Sequence, residues 1–198
     1  MEPMLLPEVE SNPQPGPYHD VIQANLRAGR EYPQIWHLFA YRPQATDHLS
    51  RFTQEIMRGP ASISPGLREL IAAYTSYRNN TQFCFKSHAA VAAELLENED
   101  LVWSVLRDFE RSPLEEREKV LFRFIEKVHR DAVHITQADM QQLNAAGWDD
   151  EAIYIAITVC ALFNFYNRWI DATGVHPLSE EGHREGGKRM AEHGYLRK

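Results

Sequence analysis

Apolar residues recur along most of this chain at three- and four-residue spacing, the period of an α-helix with one buried face. In SPGLRELIAAYTSYR, Leu67, Leu70, Ile71 and Tyr74 share one side, and Ser64 before Pro65 supplies the opening cap. SPLEEREKVLFRFIEKVHR repeats the device with Ser112 and Pro113, with acids in the first turn and bases toward the end, which complements the helix dipole. Thr136 opens a short helix that closes near Gly147, and a long buried helix follows and ends at Gly174. No segment alternates apolar and polar residues as a half-buried strand does. The pattern predicts an all-α domain of about seven to nine helices.

Both ends depart from the pattern. Residues 1–17 carry five prolines and little periodicity, so they read as an extended arm suited to packing on a neighbouring subunit. Residues 18–198 then form a single helical domain, whose tail from about 178 reads as a polar amphipathic helix.

Composition narrows the partners. A chain of 198 residues with 43% apolar and 25% charged residues can bury a sizeable core. Its net charge of −7 argues against nucleic acid or an anionic membrane as the main partner, because phosphate contacts need excess cations. The first residues lack the basic start and apolar core of a signal peptide. The longest apolar run, residues 152–163, is too short to span a bilayer; Asp149, Asp150 and Glu151 border one end, and Arg168 lies near the other. Two cysteines 76 positions apart make neither a disulfide framework nor a zinc spacing. A cytoplasmic location, where a lone thiol stays reduced, is the expectation.

The chemistry concentrates in NNTQFCFKSHAA, residues 79–90. With Thr81 as the cap, Cys84 falls at the third helical position, where unpaired N–H groups and the helix dipole favour thiolate. His88 lies one turn further on the same face. Glu69, on the preceding helix, shares its face with the small residues Ala72, Ala73 and Ser76. A hairpin turning at 78–81 would lay that face against Cys84, with Glu69 orienting His88 or relaying its proton through water. The bland reading stands beside this one: Cys84 with Phe85, Val91 and Leu95 as core, and His88 as a hydrogen-bonded core histidine.

With fifteen positions from Glu69 to Cys84 and four from Cys84 to His88, this run resembles the alkylhydroperoxidase D-like (AhpD-like), carboxymuconolactone decarboxylase superfamily, and its peroxidase-related branch in particular. ITQADMQQLNAAGWDDEAIY and ALFNFYNRWIDATGV extend the resemblance over roughly residues 30–175. It implies the all-helical AhpD-like fold, a homo-oligomer (trimer or hexamer), and chemistry without metal or cofactor. It also implies peroxidatic roles: Cys84 as the cysteine that attacks a small-molecule peroxide, His88 as the base beside it, Glu69 as the acid of the proton relay. The hydroperoxidases carry a first, resolving cysteine where this chain has Thr81.

Three readings of that departure remain open. Cys84 works alone and an external thiol or protein reductant returns it; Cys160 resolves it; or the site has drifted to another reaction or none. Plain core packing is the competing reading of Cys160. Thr81 also suits a hydrogen bond to the sulfur. Alternatives to a thiol peroxidase are a cofactor-free decarboxylase or lyase and a catalytically silent helical module.

The remaining candidates read as structural. His129 and His134 do not share a helical face, and His176, His183 and His193 lie in the polar tail as solvated side chains. A metal on Glu69, Cys84 and His88 fits by ligand type alone. Asn164, Asn167, Arg168 and Asp171 form a polar line, read as an Arg168–Asp171 pair plus helix-end capping or, more sharply, with Asn164 or Arg168 lining the pocket beside Cys84 or a subunit interface. Phe83, Phe85, Phe163, Phe165 and Tyr166 read as core, some of them walling a peroxide pocket.

Overall fold

Proline, whose fixed φ and missing N–H suit a first helical turn, opens four of the first five helices. In the computed structural model, which describes residues 2–197, these are α1 (Pro7–Ser11), α2 (Pro17–Ala28), α3 (Ile35–Tyr41), α4 (Pro43–Arg58) and α5 (Pro65–Arg78). They are followed by α6 (Gln82–Leu96), α7 (Glu99–Asp108), α8 (Glu116–Asp131), α9 (Gln137–Ala145), α10 (Asp150–Thr173) and α11 (Glu180–His193). Eleven α-helices and one 3-10 turn (Ala132–His134), with no strand among the described residues, make an all-α fold. The count exceeds the expected seven to nine, because short helices such as α1 and α3 are too brief to display a period.

Ser64 and Thr136 cap where the sequence placed them, whereas Ser112 and Thr81 do not. The Ser64 hydroxyl accepts from Leu67 N–H at 3.2 Å, Asp149 accepts from Ala152 N–H at 2.8 Å, and Thr136 pairs reciprocally with Asp139. Ser112 instead donates to the Phe109 carbonyl, and α8 starts after Glu115, which makes a capping box with Glu118. An acid three residues before another acid did the work assigned to serine.

The N-terminal segment is not an extended arm throughout, and it lies on its own chain. Met4 is buried, the Leu5 N–H donates to the Thr173 carbonyl at 3.1 Å, and Gln34 donates to the Glu2 carbonyl at 2.7 Å. Gly174, in the left-handed region at φ 78°, lets this strap pass: a β-carbon there would stand 2.7 Å from the Leu5 nitrogen.

Antiparallel α5 and α6 pack along their length, with α10 laid against α5 and α11 against α6. By length and composition α10 is apolar enough to cross a membrane, but half of its most apolar window is buried in this protein. Helix α11 is no solvated tail. At Gly187 its backbone meets Ala90 of α6 so closely that a β-carbon would stand 2.7 Å from that of Ala90. Arg68, almost wholly buried on α5, gives its guanidinium to the carbonyls of Ile56, Gly59 and Ile63, tying the end of α4 to the start of α5.

Candidate active site

The α5–α6 hairpin turns at Asn79 and Asn80, the latter left-handed at φ 57°. Ala72, Ala73 and Ser76 are fully buried on the inner face of α5, so the two backbones approach closely. This brings Glu69 to His88: Glu69 Oε2 lies 2.7 Å from His88 Nδ1. The other carboxylate oxygen accepts from Tyr195 Oη and from Arg58 Nη1, each at 2.7 Å.

Glu69 is wholly buried. Burial alone would raise its pKa, but the charge and hydrogen bond of His88, then Arg58, then Tyr195, outweigh it and hold the carboxyl below its ordinary value. An ionised carboxylate at Nδ1 fixes the proton there, which leaves Nε2 of a neutral His88 as a base. The imidazole is further held edge-on to Phe163, with ring centroids 4.4 Å apart.

His88 and Cys84 line one cavity of about 100 Å3, walled by Phe39, Phe83, Phe163 and Tyr166. Cys84 itself is 2% exposed. Its thiol is not lowered as the helix-start argument expects: burial pushes it up to about 12, Asp171 adds to the rise, and hydrogen bonds from Asn167 and Ser76 oppose it. Desolvation outweighs the dipole because no side-chain cation neighbours the sulfur closely enough to offset it.

Thr81 stands at the cap of α6, but its side chain makes no cap and does not serve the sulfur; Oγ1 donates to Asp171 at 2.6 Å. Arg168 therefore lacks the expected Asp171 partner and binds Asn164 instead, at 2.8 and 2.9 Å. Neither Asn164 nor Arg168 lines the cavity; it is Asn167, buried and donating to Ser76 at 3.0 Å, that stands beside the thiol. Cys160 is buried and also pushed up, to about 11, by burial. Its neighbours are Thr75 and Asn164, and those of Cys84 are Ser76 and Asn167, so the two thiols abut consecutive residues of α5 and sites one turn apart on α10.

Among the aromatics, Phe165 is 49% exposed rather than core, and Phe85 packs against Tyr77 and Trp103, away from the cavity. His183 corrects the solvated-tail expectation. It is 3% exposed, accepts the Leu178 N–H at Nε2 (3.1 Å), and so must carry its proton at Nδ1, 3.0 Å from Ser87 Oγ on the cavity wall. Burial drops its pKa to about 4.

Sequence reasoning missed Arg58, Tyr195 and the His183–Ser87 pair. The usable signal lay in the tail itself: Gly182, Gly186 and Gly187 recur at helical spacing in an otherwise polar stretch, as they do where a helix seats closely on another.

No family model and no curated protein sequence matches the chain. Solved structures do. A peroxidase-related protein of Silicibacter sp. TM1040, described as uncharacterized, superposes with TM-score 0.80 at 24% identity over 92% of this chain and 95% of its own. The fold is AhpD-like. A second structure, described as an alkylhydroperoxidase AhpD core and belonging to an uncharacterized peroxidase-related protein of Ralstonia eutropha JMP134, matches with TM-score 0.78 at 21% identity, covering 93% of this chain and 98% of that one. The AhpD-like architecture thus extends over more than nine-tenths of this molecule.

Proposed function

We propose that this AhpD-like protein is a thiol peroxidase with one motif cysteine, Cys84. The observation that carries the reading is the buried Glu69–His88 hydrogen bond, 2.7 Å long, behind a cavity that His88 and Cys84 line together. The buried thiol waits protonated, and His88 Nε2 takes its proton as peroxide enters, with Glu69 balancing the imidazolium. The thiolate attacks the distal peroxide oxygen; the O–O bond breaks, Cys84 becomes a sulfenic acid, and the alkoxide leaves as alcohol with the proton from His88. Two thiol equivalents of an external reductant return Cys84 and release water. A cytoplasmic homo-oligomer belongs to this reading; exposed Tyr154 and Phe165 on α10 are suited to a subunit contact.

Peptide mass spectrometry after stoichiometric organic hydroperoxide, with a sulfenic-acid trap present, tests it. A trapped adduct on Cys84 that is lost in His88→Ala is expected. With the trap omitted, a Cys84–Cys160 disulfide would replace the external reductant by Cys160. A folded protein with no adduct overturns the peroxidase. A second reading, a cofactor-free lyase using Glu69 and His88 as an acid–base pair, draws on the thiol pKa of about 12. It requires that Cys84→Ser retain turnover of a carboxylated substrate.

A further inference from the structure

Two further cations face the same cavity. Arg189 on α11 and Arg197 beyond it line it together with Trp36 and Tyr18. Their guanidinium carbons stand 5.5 and 4.9 Å from the centre of one ring, that of Trp36. Among the described residues neither has a carboxylate within ion-pair distance. Among the described residues, Arg197 Nε is buried and finds no hydrogen-bond partner. Arg58, the other cation near the cavity, is already neutralised by Glu69.

This arrangement is costly without a ligand. Two guanidiniums stand against one indole ring, burial and then repulsion from Arg189 pull Arg197 down to about 10, and a buried donor goes unused. Stacking on Trp36 explains one arginine but not two that repel each other. An anion between them would relieve both the repulsion and the orphaned N–H, and a carboxylate matches the guanidinium fork. The other walls are aromatic and aliphatic, Phe39, Phe83, Phe163 and Ile35 among them. A cavity of about 150 Å3 admits a benzene-sized molecule, so one of about 100 Å3 suits a body of a few carbons.

We infer that the cavity takes a compact organic carboxylate, its apolar body against the phenylalanines and its anionic end held by Arg189 and Arg197. Resting on the peroxidase reading, the substrate is then a small carboxylated hydroperoxide whose peroxide group faces Cys84 and His88.

The test starts with binding, which needs no chemistry at Cys84. Calorimetry on the reduced protein compares butanoate with butanamide, equal in shape but neutral. Butanoate is expected to bind at least about tenfold tighter, a preference that Arg189→Gln/Arg197→Gln abolishes. Equal binding of the two probes to the unmodified protein overturns the inference without recourse to any variant, and so does a preference that survives in the double variant. The kinetic arm separates the two readings. If carboxylated and neutral hydroperoxides oxidise Cys84 at the same rate, the anion site falls and the peroxidase stands. If butanoate is preferred and no hydroperoxide oxidises Cys84, the peroxidase falls and the anion site stands.

Discussion

Two ion-pair clusters in this molecule have nearly the same contact lengths and opposite surroundings. Arg123 on α8 reaches Glu110 and Glu116 at 2.6–2.7 Å with its side chain 45% exposed. Glu69 receives Arg58, His88 and Tyr195 at 2.7 Å with its own side chain wholly buried. At Arg123, water and salt screen the attraction and compete for each donor, so the Coulomb gain roughly offsets the cost of ordering the side chains. At Glu69 there is no solvent to fall back on, and removing any member strands a charge or donor. Distance alone therefore says little; the dielectric around a contact decides what its loss costs.

The sharpest way to break the contrast is Glu69→Ala. It should lower unfolding free energy by about 3–5 kcal/mol in denaturant titrations, because Arg58 loses its counter-charge in a buried site. It should also slow Cys84 trapping by about a hundredfold or more, through loss of the group that orients and charges His88. A loss under about 1 kcal/mol would mean that water reaches Glu69 and the two clusters are alike.

His183 extends the comparison to a buried group with no counter-ion. In the unfolded chain it takes its proton near 6.5, and in the fold only near 4. The unfolded state therefore binds more protons between those values, and stability falls as pH drops through that window, by on the order of 3 kcal/mol. The contribution is absent above the window, where both states are neutral. Stability measured at pH 7 and pH 4.5 should differ less in His183→Gln than in the parent; an identical drop in both would refute the assignment.

Tyr195→Phe tests one contact of the buried cluster at nearly constant shape. About 2 kcal/mol is expected for a lost hydrogen bond to a buried carboxylate, read from the denaturation midpoint. The smallest effect belongs to the surface cluster. Arg123→Ala should cost less than about 1 kcal/mol, and salt should erase the difference, whereas it should leave the Glu69→Ala loss nearly intact.

The contrast also marks what sequence could disclose. Glu69 and His88 were legible because a short hairpin connects them, and its small inner face and turn residues lie within one 20-residue window. Arg58 and Tyr195 were not, since their place depends on how α4 packs on α5 and α11 on α6, which no local period encodes. His183 was misjudged because polar composition hides a buried side chain when its neighbours are glycines. The Cys84 pKa was misjudged for a related reason: position in a helix is written locally, whereas desolvation is supplied by every element that covers the sulfur. The all-α fold itself survived these errors, because it rests on periods and caps repeated along the whole chain.

Tyr195 closes the network around Glu69 from 126 positions further along. A ribosome delivers the α5–α6 hairpin, with Glu69, Cys84 and His88, long before it delivers this tyrosine. A nascent chain can thus pair its hairpin early, but the carboxylate gains its last donor, and the thiol its cover, only when α11 seats on α6 through Gly187. Reactivity and completion of synthesis are coupled by that one seam, so a half-made chain holds the motif without holding the site.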